Sequence, residues 1–190
     1  MANFYVNDDD VKIAPEDLSK LFTRENPQAD DNIALLIRQR ANGNTTKAKL
    51  LGKQYASDLL DCVWTKAPQD VREEDFDLQV KLLFAYVVHR IISDYSPNAI
   101  IENTVLSSFF ENLEEADPKL SRDINDNAAF SLYVLLHRSR EESAQRVGEI
   151  FADICNAAEG SDCDILGESA YTRFLSACTQ RMLAAEFIED

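Results

Sequence analysis

The sequence predicts an all-α protein: a single-domain bundle of seven or eight helices around a central buried helix at about residues 75–95. Three observations predict this class. No segment alternates apolar and polar residues for long enough to indicate a strand. All 5 prolines lie between helical patterns. The segment Leu82–Ile92 is apolar on nearly every side, which is typical of a helix enclosed by other elements.

The N-terminal residues 1–14 are predicted to form an arm, because Asp8-Asp9-Asp10 favours a solvated turn. Residues 15–190 are predicted to form the single helical domain. Its first helix opens at Pro15, since proline suits the first turn of a helix. A weak subdivision is expected near residues 67–70, where a proline separates two helical patterns.

Two helices are predicted next. One runs from about Asp30 to Asn42, with apolar residues facing inward and Gly43 following its end. The inward residues are Ile33, Leu36 and Ile37. The other runs from Asn44 to about Lys66 and has a broad apolar stripe that includes Leu50, Leu51, Val63 and Trp64. Glycine at position 52 weakens this helix locally, by about 1 kcal/mol relative to alanine.

The central helix, Asp75 to Tyr95, carries a narrow stripe of polar residues. Helical spacing places Gln79, Tyr86, Arg90 and Ser93 on one face. One interpretation is a solvent-facing seam in which Arg90 pairs with Asp94 one turn later. The other interpretation is the polar wall of an internal pocket.

A fifth helix is predicted from a Ser96 cap and Pro97 to Ala116. A short turn through Leu120 and Ile124 follows. Another helix then runs from Ala128 to His137, capped by Asn125 or Asp126.

The segment Ser139–Glu142 has the spacing of a capping box. It either starts a new helix or lies within one long helix whose pattern ends at Gly160. Residues 161–167 are predicted to connect it to a last helix, Glu168–Phe187.

Two segments resemble each other at an offset of 47 or 48 residues. Each carries a tyrosine, a histidine and an arginine: Tyr86, His89 and Arg90 in the first, Tyr133, His137 and Arg138 in the second. The offset is typical of a two-helix solenoid repeat, which is the alternative fold, although no third copy is found. If a ligand pocket exists, these six residues are the first candidates to line it.

The net charge of −15 is unevenly distributed. Residues 1–70 carry 9 Lys/Arg against 11 Asp/Glu, whereas residues 71–190 carry 10 against 23. This balance argues against nucleic acid and against an anionic membrane surface as partners. The N-terminus lacks the basic and apolar regions of a signal peptide, and the 4 cysteines form no CxxC pair. We therefore expect a cytoplasmic protein.

Motifs for catalysis and for metals are incomplete in this sequence. Neither histidine has glutamate three residues before it, and Asp123–Asn127 lacks the later glycine and glutamate of a calcium loop. Gly43–Lys47 lacks the second glycine of a phosphate loop. These observations predict no cofactor and no metal, and they favour a protein that is not an enzyme.

The sequence also contains a group of basic residues without a nearby acid. No Asp or Glu occurs between Asp31 and Asp58, where the chain carries Arg38, Arg40, Lys47, Lys49 and Lys53. The leading hypothesis is a non-enzymatic helical module that uses these residues to bind a protein partner or another copy of itself. The first alternative is an acidic inhibitor or nucleic-acid mimic that binds a basic protein. The second is a small-molecule binder or enzyme with a pocket between the helices carrying His89 and His137.

Overall fold

The computed structural model describes residues 27–139 and 142–188, with side chains from residue 31 onward. This part of the chain forms eight α-helices and contains no strand, which confirms the predicted all-α class. The helices are α1 (Pro27–Ala41), α2 (Asn44–Leu60), α3 (Glu73–Tyr95), α4 (Ala99–Ala116), α5 (Pro118–Asp126), α6 (Ala128–Arg138), α7 (Ala144–Ile154) and α8 (Cys163–Ala184). No helix in these ranges is long and apolar enough to cross a lipid bilayer.

The chain divides into two compact units, residues 1–38 and residues 39–190. In the first unit the described residues belong to α1. Ile33 and Ile37 are 57% and 62% exposed, so the prediction that they face inward is wrong. Helical spacing puts apolar residues on one face, but burial requires another element against that face. The predicted arm and first helix lie outside the described residues, and the predicted domain limits stay predictions.

Helix α3 is the centre of the second unit. Every residue from Leu82 to Val88 is buried, and α3 contacts α2, α4, α6, α7 and α8. Its first turn contains Glu73, Glu74 and Asp75, whose negative charges complement the helix dipole. The predicted central helix at 75–95 is therefore confirmed, and it starts two residues earlier than expected.

Helices α2 and α4 pack closely because Gly52 of α2 has no side chain. A Cβ atom at Gly52 would lie 2.4 Å from the carbonyl oxygen of Val105 and 2.8 Å from the backbone nitrogen of Phe109. Across the same contact, Ser108 Oγ donates a hydrogen bond of 2.8 Å to the carbonyl oxygen of Lys49. Glycine is a poor helix former, so Gly52 weakens α2 locally. The close packing of α4 nevertheless requires a residue without a side chain at this position.

Helices α7 and α8 also meet through glycines. A Cβ atom at Gly148 would lie 2.4 Å from the carbonyl oxygen of Asp164, and one at Gly167 would lie 2.7 Å from the side chain of Phe151. These two positions set the separation of the helices. This packing fixes the position of α8, on which Tyr171 lies one turn after Gly167.

The starts of several helices differ from the predictions because other side chains make the capping hydrogen bonds. Asn98 caps α4 by accepting from the backbone nitrogens of Ile100 and Ile101, whereas Ser96 ends α3. Asn127 caps α6, in place of Asn125 or Asp126. An asparagine cap needs an extended backbone at its own position, which the spacing of apolar residues does not reveal.

Three further boundaries also differ. The predicted turn at Leu120 is the helix α5, which Asp117 caps with Pro118 at its first position. Ser143, not Ser139, caps α7. Helix α8 begins at Cys163, within the predicted connector, because the buried Cys163 side chain extends its apolar face.

Helix α2 ends at Leu60, before the predicted end at Lys66. The chain then leaves the helical path, so helical spacing no longer decides which side chains face inward. Val63 is 89% exposed and Leu50, within the helix, is 57% exposed, so the assignment of both residues to the apolar stripe is wrong. Trp64 packs edge-on against Phe174 of α8, with 5.5 Å between ring centroids.

We predict that Gly52→Ala destabilises the protein although alanine is the better helix former. Its methyl group would overlap backbone atoms of α4, and overpacking of this kind costs about 1–3 kcal/mol. Urea denaturation measures the free energy of unfolding. The exposed Gln54→Ala on the same helix is the control, with an expected change within about 0.5 kcal/mol. A Gly52→Ala protein as stable as the parent would contradict the packing argument.

Candidate functional site

A group of polar side chains from three helices surrounds Glu142, which lies in the connection between α6 and α7. Glu142 Oε1 accepts hydrogen bonds from Tyr86 Oη at 2.5 Å, Tyr171 Oη at 2.7 Å and Arg90 Nη1 at 2.9 Å. Glu142 Oε2 lies 2.7 Å from His137 Nδ1. An ionised carboxylate only accepts, so His137 donates through Nδ1. We call Glu142, Tyr86, Arg90, His137 and Tyr171 the Glu142 network.

The sequence places the members of this network for separate reasons. Tyr86 and Arg90 are one turn apart on the polar stripe of α3. Tyr171 lies on α8 and accepts a hydrogen bond from Arg90. His137 is in the last turn of α6, next to the connection that carries Glu142.

The carboxylate of Glu142 is nearly enclosed, with its side chain 7% exposed. Burial raises the pKa of this carboxyl, but the hydrogen bonds from Tyr86, Tyr171 and His137 and the charge of Arg90 outweigh burial, so its pKa lies below its ordinary value. Burial and the hydrogen bond to Glu142 raise the pKa of both tyrosines. Glu142 is therefore ionised and the tyrosines are protonated near neutral pH.

Asp94 connects the network to the surface. Its Oδ2 lies 3.4 Å from Arg90 Nε, an ion pair without hydrogen-bond geometry, and its Oδ1 lies 3.7 Å from His137 Nε2. The side chains of Asp94 and His137 are 37% and 36% exposed. The predicted pairing of Arg90 with Asp94 is thus confirmed. The solvent-seam interpretation is wrong for Gln79 and Tyr86, which are buried, and holds for the exposed Ser93.

The structure brings together three of the six predicted pocket residues: Tyr86, Arg90 and His137. Tyr133 lies beside them, since its ring stacks on Tyr86 with 5.2 Å between centroids, but its hydroxyl has no hydrogen-bond partner among the described residues. Among the described residues, His89 and Arg138 form no hydrogen bond with Glu142, although His89 lies within electrostatic range of His137 and Arg138.

His89 faces a different set of neighbours. Its ring packs edge-on against Phe130, 5.9 Å between centroids, and burial lowers its pKa. The side chain of Arg138 is exposed. The resemblance between the two segments therefore extends to the stacked tyrosines but not to equivalent positions of the histidines and arginines.

Sequence reasoning missed Glu142 and Tyr171 as members of the network. The spacing of the sequence puts Glu142 in a capping box, and it predicts that Tyr171 shares the apolar face of the last helix with Phe174 and Cys178. A tyrosine on an apolar face needs a partner for its hydroxyl when buried, which was a usable signal. Nothing in local spacing identifies Glu142, because its donors lie between 5 and 56 residues away in sequence.

The Glu142 network is arranged to hold the Glu142 side chain against α3, α6 and α8. Both carboxylate oxygens already accept hydrogen bonds from the protein, which satisfies the charge that burial would otherwise penalise. In residues 27–139 and 142–188, no group of three or more His, Cys, Asp or Glu side chains is arranged to hold a metal ion.

The basic residues lie on α1 and α2. Arg38 belongs to the first unit, whereas Arg40, Lys47, Lys49 and Lys53 belong to the second. Lys49 and Lys53 are exposed. Lys47 is half-buried, and its Nζ donates a hydrogen bond of 2.6 Å to the carbonyl oxygen of Glu186.

Leu50 lies between these lysines and is 57% exposed. It lines two grooves. One, of about 650 Å³, runs between α2 and α4 and includes Lys49, Lys53 and Glu111. The other, of about 630 Å³, runs between α2 and α8 and includes Lys47 and Arg181. We call Lys47, Lys49, Leu50 and Lys53 the basic ridge.

Comparisons of this chain with protein-family models, with curated proteins and with solved structures found no match.

We predict that Glu142→Gln destabilises the fold. The neutral amide cannot accept all the hydrogen bonds that the carboxylate accepts, and it leaves Arg90 without its buried counter-charge. Removing one partner of a buried ion pair costs roughly 3–5 kcal/mol, and the similar shape of glutamine reduces the loss. Thermal and urea denaturation measure the resulting decrease in the free energy of unfolding. The exposed Glu168→Gln is the charge-matched control, and an equal effect of both substitutions would contradict a special role for Glu142.

We also predict how this stabilisation depends on pH. The folded pKa of Glu142 lies below its ordinary 4.5, so the ionised carboxylate stabilises the folded state fully above that value. The stabilisation is lost as pH falls through the lowered pKa. The stability difference between the parent and Glu142→Gln should be constant above about pH 5 and should shrink in more acidic buffer. Denaturation series across this range check it, and a difference that grows towards acid pH would contradict it.

Proposed function

We propose that this protein is a non-enzymatic helical interaction module that binds an acidic segment of a protein partner through the basic ridge. The observation that carries the proposal is the exposure of Leu50 between lysines, with a groove on either side. Exposed apolar residues within a charged rim are typical of protein-binding surfaces.

The charges of the ridge support an acidic partner. Lys49 and Lys53 project from the α4 side of α2, and Lys47 from the α8 side. The sequence has no acid between residues 31 and 58, so local neighbours along the chain do not neutralise these lysines. Residues 71–190 carry 10 Lys/Arg against 23 Asp/Glu, a balance that would disfavour binding of an acidic partner to that part of the chain.

The two grooves support a helical or extended segment as the occupant. A segment in either groove can place an apolar side chain against Leu50 and carboxylates near the lysines. This is the arrangement of helix-in-groove recognition, in which apolar anchors supply affinity and charges select the partner.

The Glu142 network favours this proposal over a ligand pocket at the two histidines. Tyr86 and Tyr133 stack between α3 and α6, and the polar groups beside them bond to Glu142. The hydroxyl of Tyr86 is used inside the fold, whereas Lys49 and Lys53 of the basic ridge are exposed to solvent.

The proposal predicts that charge reversal on the ridge removes partner binding. Immobilised parent protein and the Lys49→Glu/Lys53→Glu variant are incubated with extract of the source cells, and quantitative mass spectrometry compares the retained proteins. We expect the specifically retained acidic protein to fall at least about tenfold, and its binding to the parent to weaken with salt. The Lys66→Glu/Arg122→Glu variant is the control, since it makes the same change in charge at other exposed positions.

A second pair of variants separates specific docking from general charge attraction. Leu50→Ser should also weaken retention, because it removes the apolar anchor without altering charge. Leu135→Ser is its control, since Leu135 is 63% exposed on α6. Equal retention by the parent and all variants would contradict the proposed surface. Retention of basic proteins by parent and ridge variants alike would instead favour the acidic-inhibitor alternative.

A further inference from the structure

A cleft of about 390 Å³ lies between the end of α2, the segment after it and α8, and it shares Ala177 and Arg181 with the groove between α2 and α8. Its apolar lining includes the rings of Trp64, Phe84 and Phe174. Phe174 packs edge-on against both other rings, with centroids 5.5 Å from Trp64 and 5.0 Å from Phe84. Small-molecule sites have volumes of roughly 300–1,000 Å³ and mainly apolar and aromatic linings. The cleft has a volume in this range and three aromatic rings in its lining, together with four charged side chains.

Two thiols extend the apolar lining. Burial raises the pKa of Cys62, and it raises the pKa of Cys178 to about 12. Both thiols therefore stay protonated near neutral pH and behave as small apolar groups. Neither Cys62 nor Cys178 supplies a reactive thiolate to the cleft.

Four charged residues line the cleft: two of them form an ion pair with each other, and the other two, which we call the open charges, do not. Arg181 and Asp58 form a two-bond ion pair, with Nε–Oδ2 at 2.7 Å and Nη2–Oδ1 at 3.0 Å. In the described part of the chain, neither Asp61 nor Arg173 forms an ion pair. Asp61 accepts one hydrogen bond, from Ser57 at 3.4 Å, and the Arg173 guanidinium lies 5.4 Å from the ring centroid of Trp64.

We propose that this cleft binds a free aromatic amino acid. The ring of the ligand packs against Trp64 and Phe174, its carboxylate pairs with Arg173, and its ammonium pairs with Asp61. A zwitterion pairs with both Arg173 and Asp61. An aromatic acid pairs only with Arg173, and an aromatic amine pairs only with Asp61, so each leaves one of the two side chains without a counter-charge. Contacts between the aromatic ring of the ligand and the rings of Trp64 and Phe174 add to the affinity.

The test uses Trp64 as its reporter, because the chain has 1 tryptophan. The full-length protein is titrated with L-phenylalanine, which does not absorb where tryptophan is selectively excited. We expect a saturable change in Trp64 emission. The matched probes 3-phenylpropionate, which lacks the ammonium, and phenethylamine, which lacks the carboxylate, should each bind at least about tenfold more weakly.

Two variants test which charged group of the ligand pairs with Arg173 and which pairs with Asp61. In Arg173→Gln, L-phenylalanine should bind as weakly as phenethylamine does. In Asp61→Asn, it should bind as weakly as 3-phenylpropionate does. Both positions are exposed, so the fold should be kept, and circular dichroism checks this. Ligand-observed saturation-transfer NMR measures the same affinities without relying on Trp64, whose emission the Arg173 substitution itself alters.

Two results would overturn the proposal. One is the absence of saturable L-phenylalanine binding by both fluorescence and NMR. The other is equal affinity for the amino acid and its two analogues, which would show unspecific contact with exposed rings. Neither result bears on the basic ridge, because Lys49, Leu50 and Lys53 do not line this cleft.

Discussion

The second unit depends on the enclosure of helix α3. Because α3 is apolar around nearly its whole circumference, leaving any side uncovered would expose a large apolar area to water. Five helices contact it. Those helices must also approach one another closely, and the glycines at positions 52, 148 and 167 allow this, since a methyl group at any of them would overlap atoms of the facing helix.

Enclosing α3 also buries the polar groups that it carries. Tyr86 is 1% exposed, and Arg90 lies one turn further along the same face. Buried hydroxyl and guanidinium groups are costly unless they form hydrogen bonds, and Glu142 supplies the acceptor for both. The Glu142 carboxylate thereby links side chains of α3, α6 and α8. The network is best understood as a structural solution to the burial of α3.

The two proposed recognition sites lie on surfaces outside the Glu142 network. The outer face of α2 offers lysines around an exposed leucine, and the segment after α2 offers aromatic rings beside open charges. Both features follow from where α2 ends and how it packs. The helix keeps Leu50 outside because Gly52 sets its contact with α4, and its end at Leu60 frees Trp64 to pack on α8.

The sequence by itself determined the all-α class, the central helix and the breaks that follow α1, α3 and α4. These depend on local properties, namely helical periodicity, proline and the length of apolar runs. It also placed Tyr86 and Arg90 on one polar face and grouped the lysines of α2. Only the tertiary structure decided that Glu142 and Tyr171 complete the network, that Asn98 and Asn127 are caps, and that Ile33 and Leu50 are exposed. Each of these depends on which distant residues come into contact, and a pattern that repeats every few residues carries no information about contacts between residues tens of positions apart.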